Sequence, residues 1–218
     1  MRAAAVPALA VLLAFPAVSG AFELFDEPYR DGQIPVRVSA DKRMAPECPT
    51  NYKPYRKAGA TWNKAFCSYF EFTARGRADR NAFICDGYDH IEFDRLDPGI
   101  LALTGLNCRA GGRETGIRFN SRFSWHCGSG LPPSPSQFDL QSVALHEMGH
   151  MLGLGHTDDP YAVMYPSYLG PKRNLRSDDL GGVCFLYPAG EGPAAASEER
   201  PDEPEYWQPE EGVAPPGE

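Results

Sequence analysis

Residues 145–156, LHEMGHMLGLGH, continued by TDDPYAVMYP to Pro166, form the stretch from which the rest of the chain can be read. On a helix, residues four apart share a face, so His146 and His150 can offer imidazole nitrogens to a single ion. Glu147, one position along, is rotated off that line, as suits a base standing behind the ligands. Gly153 lets the backbone take a positive φ, so the helix can stop and turn sharply. That turn brings His156 round as a third ligand. Three neutral imidazoles around Zn²⁺ leave a fourth tetrahedral position for water, the pattern of a catalytic rather than a structural site. A water held there has its pKa lowered to about 7. Met164 follows eight residues after His156.

Working outward, Ser136 lies three residues before Asp139, a capping-box-like opening with Asp in place of Glu or Gln. The helix it opens carries the two histidines on one face and Leu140, Val143, Ala144 and Met151 on the other. Upstream, Ile34–Ser39 alternates apolar and polar residues and reads as a strand. Tyr55, Ala58, Trp62, Ala65 and Phe66 recur at helical spacing, with Pro54 near the N-terminus. Tyr69–Phe72, Ala82–Ile84, His90–Phe93, Ile100–Thr104 and Gly116–Asn120 are further candidate strands. A last helix is expected to be capped by Ser177, to run through Leu186 and to be stopped by Pro188. Strands and helices mix without a strict βαβ rhythm, so the fold class is α+β.

Residues 1–20 read as a signal peptide, with Arg2 as a minimal basic region, an apolar run from Ala3 to Val18 too short to span a bilayer comfortably, and a cleavage site before Ala21. An uncleaved anchor is the alternative. Residues 21–188 are enough for one domain with a sizeable core. Residues 189–218, rich in Pro and Glu, carry nine acidic residues against one basic residue, Arg200, and so hold the whole net charge of −8. Such a stretch buries little and is expected to be a disordered acidic tail. No basic footprint points to nucleic acid, and no later segment is apolar for long enough to cross a membrane. Six cysteines (Cys48, Cys67, Cys85, Cys108, Cys127, Cys184) behind a signal imply an oxidising compartment and up to three disulfides, among 15 pairings that spacing leaves open.

HEMGHMLGLGH followed by MYP resembles the metzincin metallopeptidases, specifically the matrixins, the matrix-metalloproteinase family with its bacterial relatives. Thr157 supplies a hydroxyl where matrixins usually have Ser, and Pro166 stands where astacins and serralysins have a metal-reaching Tyr. The resemblance covers residues 34–188, strongest over 136–187. It implies a zincin-like domain with a twisted, mostly parallel five-stranded sheet, three helices and an active-site cleft. It also implies a secreted zinc endopeptidase cutting protein or peptide substrates, with Glu147 as general base. By the same resemblance Met164 is an apolar floor beneath the zinc, and Tyr165–Tyr168, including Pro166 and Tyr168, walls the pocket for the residue after the cut. Ser142 lies near that pocket's base, and the strand holding Leu101 and Ala102 pairs with extended substrate. Asp178 and Asp179 match an acidic pair that steadies the Met-turn and can pair with a new N-terminus.

The departures are equally specific. Animal matrixins bind a second, structural zinc through a His-x-Asp element, whereas this chain reads RFNSRFSW over 118–125 and has only His90 and His126 outside the motif. One catalytic zinc is therefore expected, with no second zinc and the calcium site left open. No cysteine switch of the PRCGxPD kind is present. The expected product is a monomer, extracellular or, in a bacterium, periplasmic or attached to the envelope. The competing readings are a matrixin-fold binding protein without turnover and an envelope-attached interaction protein working through its tail.

Overall fold

The computed structural model describes residues 22, 24, 33–39, 48, 53–78, 89–108 and 114–190, with backbone alone at 33–39, 74–78 and 106–108. The expected signal peptide, the candidate strand Ala82–Ile84, Cys85 and the tail beyond Gly190 lie outside these residues. The element order is β1 (Gln33–Ser39), α1 (Lys53–Trp62), β2 (Glu71–Ala78), β3 (Asp89–Asp94), β4 (Ala102–Cys108), β5 (Glu114–Asn120), β6 (Ser124–His126), β7 (Gln137–Asp139), α2 (Leu140–Leu152) and α3 (Ser177–Leu186). Three helices and a mixed sheet make this an α+β domain.

The strands lie in the order β2-β1-β3-β5-β4. β1 runs parallel to β2 and β3, and β3 parallel to β5, while β4 is antiparallel to β5 and ends the sheet. β3 is buried from Asp89 to Phe93, as befits a strand with neighbours on both edges. Ile91 and Phe93 on β3, and Ile117 and Phe119 on β5, supply its apolar side chains. Tyr55, Ala58 and Trp62, spaced three and four apart on α1, pack beneath, with the Tyr55 ring on Phe119. The Trp62 indole Nε1–H donates to the Leu145 carbonyl at 2.9 Å and so fastens α1 to α2. Phe93, Phe119, Trp125 and Phe138 stack into one aromatic cluster at the end of the sheet.

Element boundaries depart from the sequence reading where side chains far along the chain intervene. α1 ends at Trp62, short of Ala65 and Phe66, because the Asn63 amide both accepts from Phe72 N and donates to Phe72 O, turning the chain toward β2. Phe66 is left 87% exposed beside the Cys67–Cys184 disulfide. β4 starts at Ala102 rather than Ile100, since the Asn120 amide donates to the carbonyls of Asp97 and Ile100 and holds that stretch as a turn. The cap of α2 is Asp139 and not Ser136. Residues 137–139 form β7, paired in parallel with β6, and the Asp139 carboxylate accepts from Ser142 N at 3.1 Å. At α3, Ser177 is the first helical residue, and the Asp179 carboxylate reaches back to accept from Arg176 N at 2.8 Å.

Among the described residues, two disulfides brace the domain. Cys48–Cys127 spans 79 residues and Cys67–Cys184 spans 117. Beside the second, Tyr69 N donates to Tyr187 O and Ala189 N to Cys67 O, so the segment around Pro188 is sewn to the stretch that follows α1. No described helix is long and apolar enough to cross a membrane.

Candidate active site

α2 is buried on almost every side; His146 and His150 are the partly exposed residues of its last two turns. Gly153 closes it at φ 102°, with the Gly153 and Leu154 amides donating back to His150 O and Gly149 O. An L side chain resists that conformation, and glycine does not. The reversal brings His156 against the pair. Its ring centroid lies 4.8 Å from that of His150 and 5.3 Å from that of His146. One ligand atom from each of the three imidazoles falls within 4.8 Å of the others.

The two helical imidazoles are fixed by backbone carbonyls. His146 Nδ1 lies 2.8 Å from Val163 O, and His150 Nδ1 lies 2.7 Å from Leu154 O. A carbonyl only accepts, so each Nδ1 carries the proton and each Nε2 presents a lone pair. Those two Nε2 atoms stand 3.1 Å apart. Two lone pairs at that distance repel unless a cation lies between them. Tetrahedral zinc with nitrogen ligands at about 2.0–2.1 Å sets such donors roughly 3.3 Å apart, so the donor set fits zinc. Burial lowers both imidazoles from the ordinary 6.5 to about 4, which keeps them neutral and able to ligate near pH 7.

Glu147 is 6% exposed, and burial raises its carboxyl above the usual range against the pull of His150 and Thr104. Its Oε2 accepts from Thr104 Oγ1 at 2.6 Å. Met164 is buried against α2, where a Cβ on Gly149 would overlap its Sδ. The turn carrying it is held by Asp179, whose carboxylate accepts from Val163 N at 3.0 Å and Met164 N at 3.1 Å. Asp178 is also buried, and neither of its carboxylate oxygens has a hydrogen-bond partner among the described residues.

A cleft of about 680 Å³ opens above the histidines. Leu101 and Ala102 line one side, and Ser142, Pro166 and Tyr168 line the other. This second wall is tied to the start of α2. Tyr168 Oη accepts from Asp139 N, and Ser142 Oγ donates to Asp139 and accepts from Lys172 N. Arg173 grips the Asp139 carboxylate with Nε at 2.8 Å and Nη2 at 2.5 Å, and also donates to the carbonyls of Gly128, Ser129 and Gly130. Thr104, Asp139 and Arg173 escaped the sequence reading as site residues. Alternation along Ala102-Leu103-Thr104 turns Thr104 inward, which was the available signal; nothing local marks Arg173.

Comparison with known proteins decides the family. The family described as Matrixin matches residues 37–188. The chain belongs to the matrixins. It is 58% identical over 144 residues to Metalloendoproteinase 1-MMP of Arabidopsis thaliana, covering 61% of this chain and 36% of that protein. Against Matrilysin of Homo sapiens it is 53% identical over 134 residues, 60% of this chain and 48% of that one. Against Karilysin of Tannerella forsythia it is 41% identical over 104 residues, 47% and 20% respectively. The chain thus spans less than half the length of each of these relatives. Membership implies zinc, and this matrixin has a triad that can hold a metal ion.

Proposed function

We propose that this matrixin is an exported zinc-dependent endopeptidase, with His146, His150 and His156 as metal ligands and Glu147 as general base. The observation that carries the reading is the pair of Nε2 lone pairs converging beside a buried carboxylate. Zinc bound there supplies Lewis-acid polarisation of the scissile carbonyl and lowers the pKa of an attacking water. Val163 and Leu154 hold the ring tautomers through their carbonyls. Glu147 takes a proton from the water and hands one to the departing amine nitrogen, with no acyl-enzyme needed. Burial, which favours its neutral form, suits it to carry that proton between the two transfers.

β4 closes the sheet, and among the described residues no strand pairs with its outer edge. A substrate lying extended beside Leu101 and Ala102 gains backbone hydrogen bonds there, which supports recognition of many sequences by one cleft. Ser142, Pro166 and Tyr168 form the pocket for the residue following the cut, over Met164 as a rigid floor. Residues 1–20 direct export, 21–188 form the catalytic domain and 189–218 are an acidic tail outside the chemistry. The Cys48–Cys127 and Cys67–Cys184 disulfides support an oxidising, extracytoplasmic location. The protein works as a monomer with one catalytic zinc.

Oxidised, zinc-loaded protein is expected to cleave casein or a quenched peptide, to stop with 1,10-phenanthroline and to resume on adding zinc. Equal cleavage by wild type and an equally folded Glu147→Ala would contradict the mechanism. Peptide binding without any cleavage would favour a turnover-free binding protein instead.

A further inference from the structure

Thr104 lies on β4, two residues beyond Ala102 and on the same inward side, while Leu103 between them is 46% exposed. Its hydroxyl has two acceptors in reach on a residue 43 positions away, Glu147 Oε2 at 2.6 Å and the Glu147 main-chain carbonyl at 3.1 Å. A hydroxyl has one proton to give and can also accept. A plain staple between strand and helix would need only the carbonyl. The shorter contact goes to the carboxylate.

We propose that Thr104 is the positioning residue for Glu147, its hydroxyl engaging Oε2 so that Oε1 is the oxygen that takes and returns the catalytic proton. The inference rests on the reading of Glu147 as general base. In the base step the O–H bond of the attacking water breaks and its proton bonds to Oε1. Oε2 then becomes the carbonyl oxygen of a neutral carboxyl and still accepts from Thr104, so the side chain need not reorient. In the acid step the Oε1–H bond breaks and the proton passes to the departing amine nitrogen. Without the hydroxyl, both oxygens compete for the proton and the carboxylate is free to turn about its last bond.

Thr104→Val removes the hydroxyl at nearly constant volume, and Thr104→Ser keeps it. Val is expected to lower kcat roughly 10- to 100-fold, the worth of a hydrogen bond to a charged group. KM and zinc content should change less than about twofold, and Ser should restore most of kcat. A second measurement needs no turnover. In zinc-free protein, Thr104→Val should lower the denaturation midpoint when Glu147 is present and much less in the Glu147→Ala background. Wild-type turnover in Thr104→Val, or equal shifts in both backgrounds, would overturn the proposal. If Thr104→Val does not fold, Thr104→Ala against Thr104→Ser is read the same way. Full turnover by Glu147→Ala would instead sink the general-base reading itself, a separate outcome.

Discussion

Glu147, the proposed base, is buried away from water and so needs partners to hold its carboxylate in place. The structure meets that need with His150, His156 and Thr104 around one carboxylate. Glu147→Gln keeps the shape and removes the base. It is expected to cut kcat by about 10²- to 10⁴-fold with zinc retained, read from peptide turnover alongside metal analysis. His146 and His150 make a second prediction. In zinc-free protein their imidazoles sit at about 4, below the ordinary 6.5. As pH falls the unfolded chain takes up these protons first, so stability is full above 6.5 and is lost progressively between 6.5 and 4. Urea midpoints of chelated protein across that range check the slope. A double alanine variant at 146 and 150 should flatten it. At this scale the histidines and Glu147 were legible because their spacing is local. Thr104 was not, because its partner lies 43 residues away and only the packing of β4 over α2 joins them.

α2 carries His146 and His150, two of the three proposed ligands, so its ends and underside set how well they are held. Its cap is a cluster drawn from three places in the chain, with Asp139 accepting from Ser142 and Arg173 while its own N–H donates to Tyr168 Oη. Arg173→Ala leaves a fully buried carboxylate short of its cation. A loss of roughly 1–3 kcal/mol in thermal or urea unfolding is expected, together with a looser cleft wall and a higher KM. Beneath the helix, a Cβ at Gly149 would overlap Met164 Sδ and come within 3.0 Å of Trp62. Gly149→Ala should therefore cost about 1–3 kcal/mol by overpacking. An Ala variant that unfolds with the wild type would refute this tight fit. The existence of α1 and α2 could be read from the spacing of their residues. The stop of α2 at Gly153 could be read as well. The end of α1 and the start of α2 could not, since Asn63 stops α1 by bonding to Phe72, and the short β6–β7 pair moves the α2 cap from Ser136 to Asp139.

Across the described residues, the sheet aligns β4 beside α2, and the Cys48–Cys127 and Cys67–Cys184 disulfides tie the outer segments to that core. Loops of 79 and 117 residues are long enough for each bridge to restrict the unfolded chain strongly, typically by about 2–5 kcal/mol. Replacing Cys67 and Cys184 together by Ala is expected to lower stability by that order and to loosen the segment that Ala189 N fastens to Cys67 O. Calorimetry under non-reducing conditions measures it. That the cysteines would pair could be read from the sequence. The partners could not, because pairing depends on which loops the fold brings together. The most direct test of the account is metal analysis of the oxidised protein after exposure to zinc and dialysis. One zinc per chain is predicted, falling well below one in His150→Ala; a correctly folded wild type that retains none would contradict the central claim.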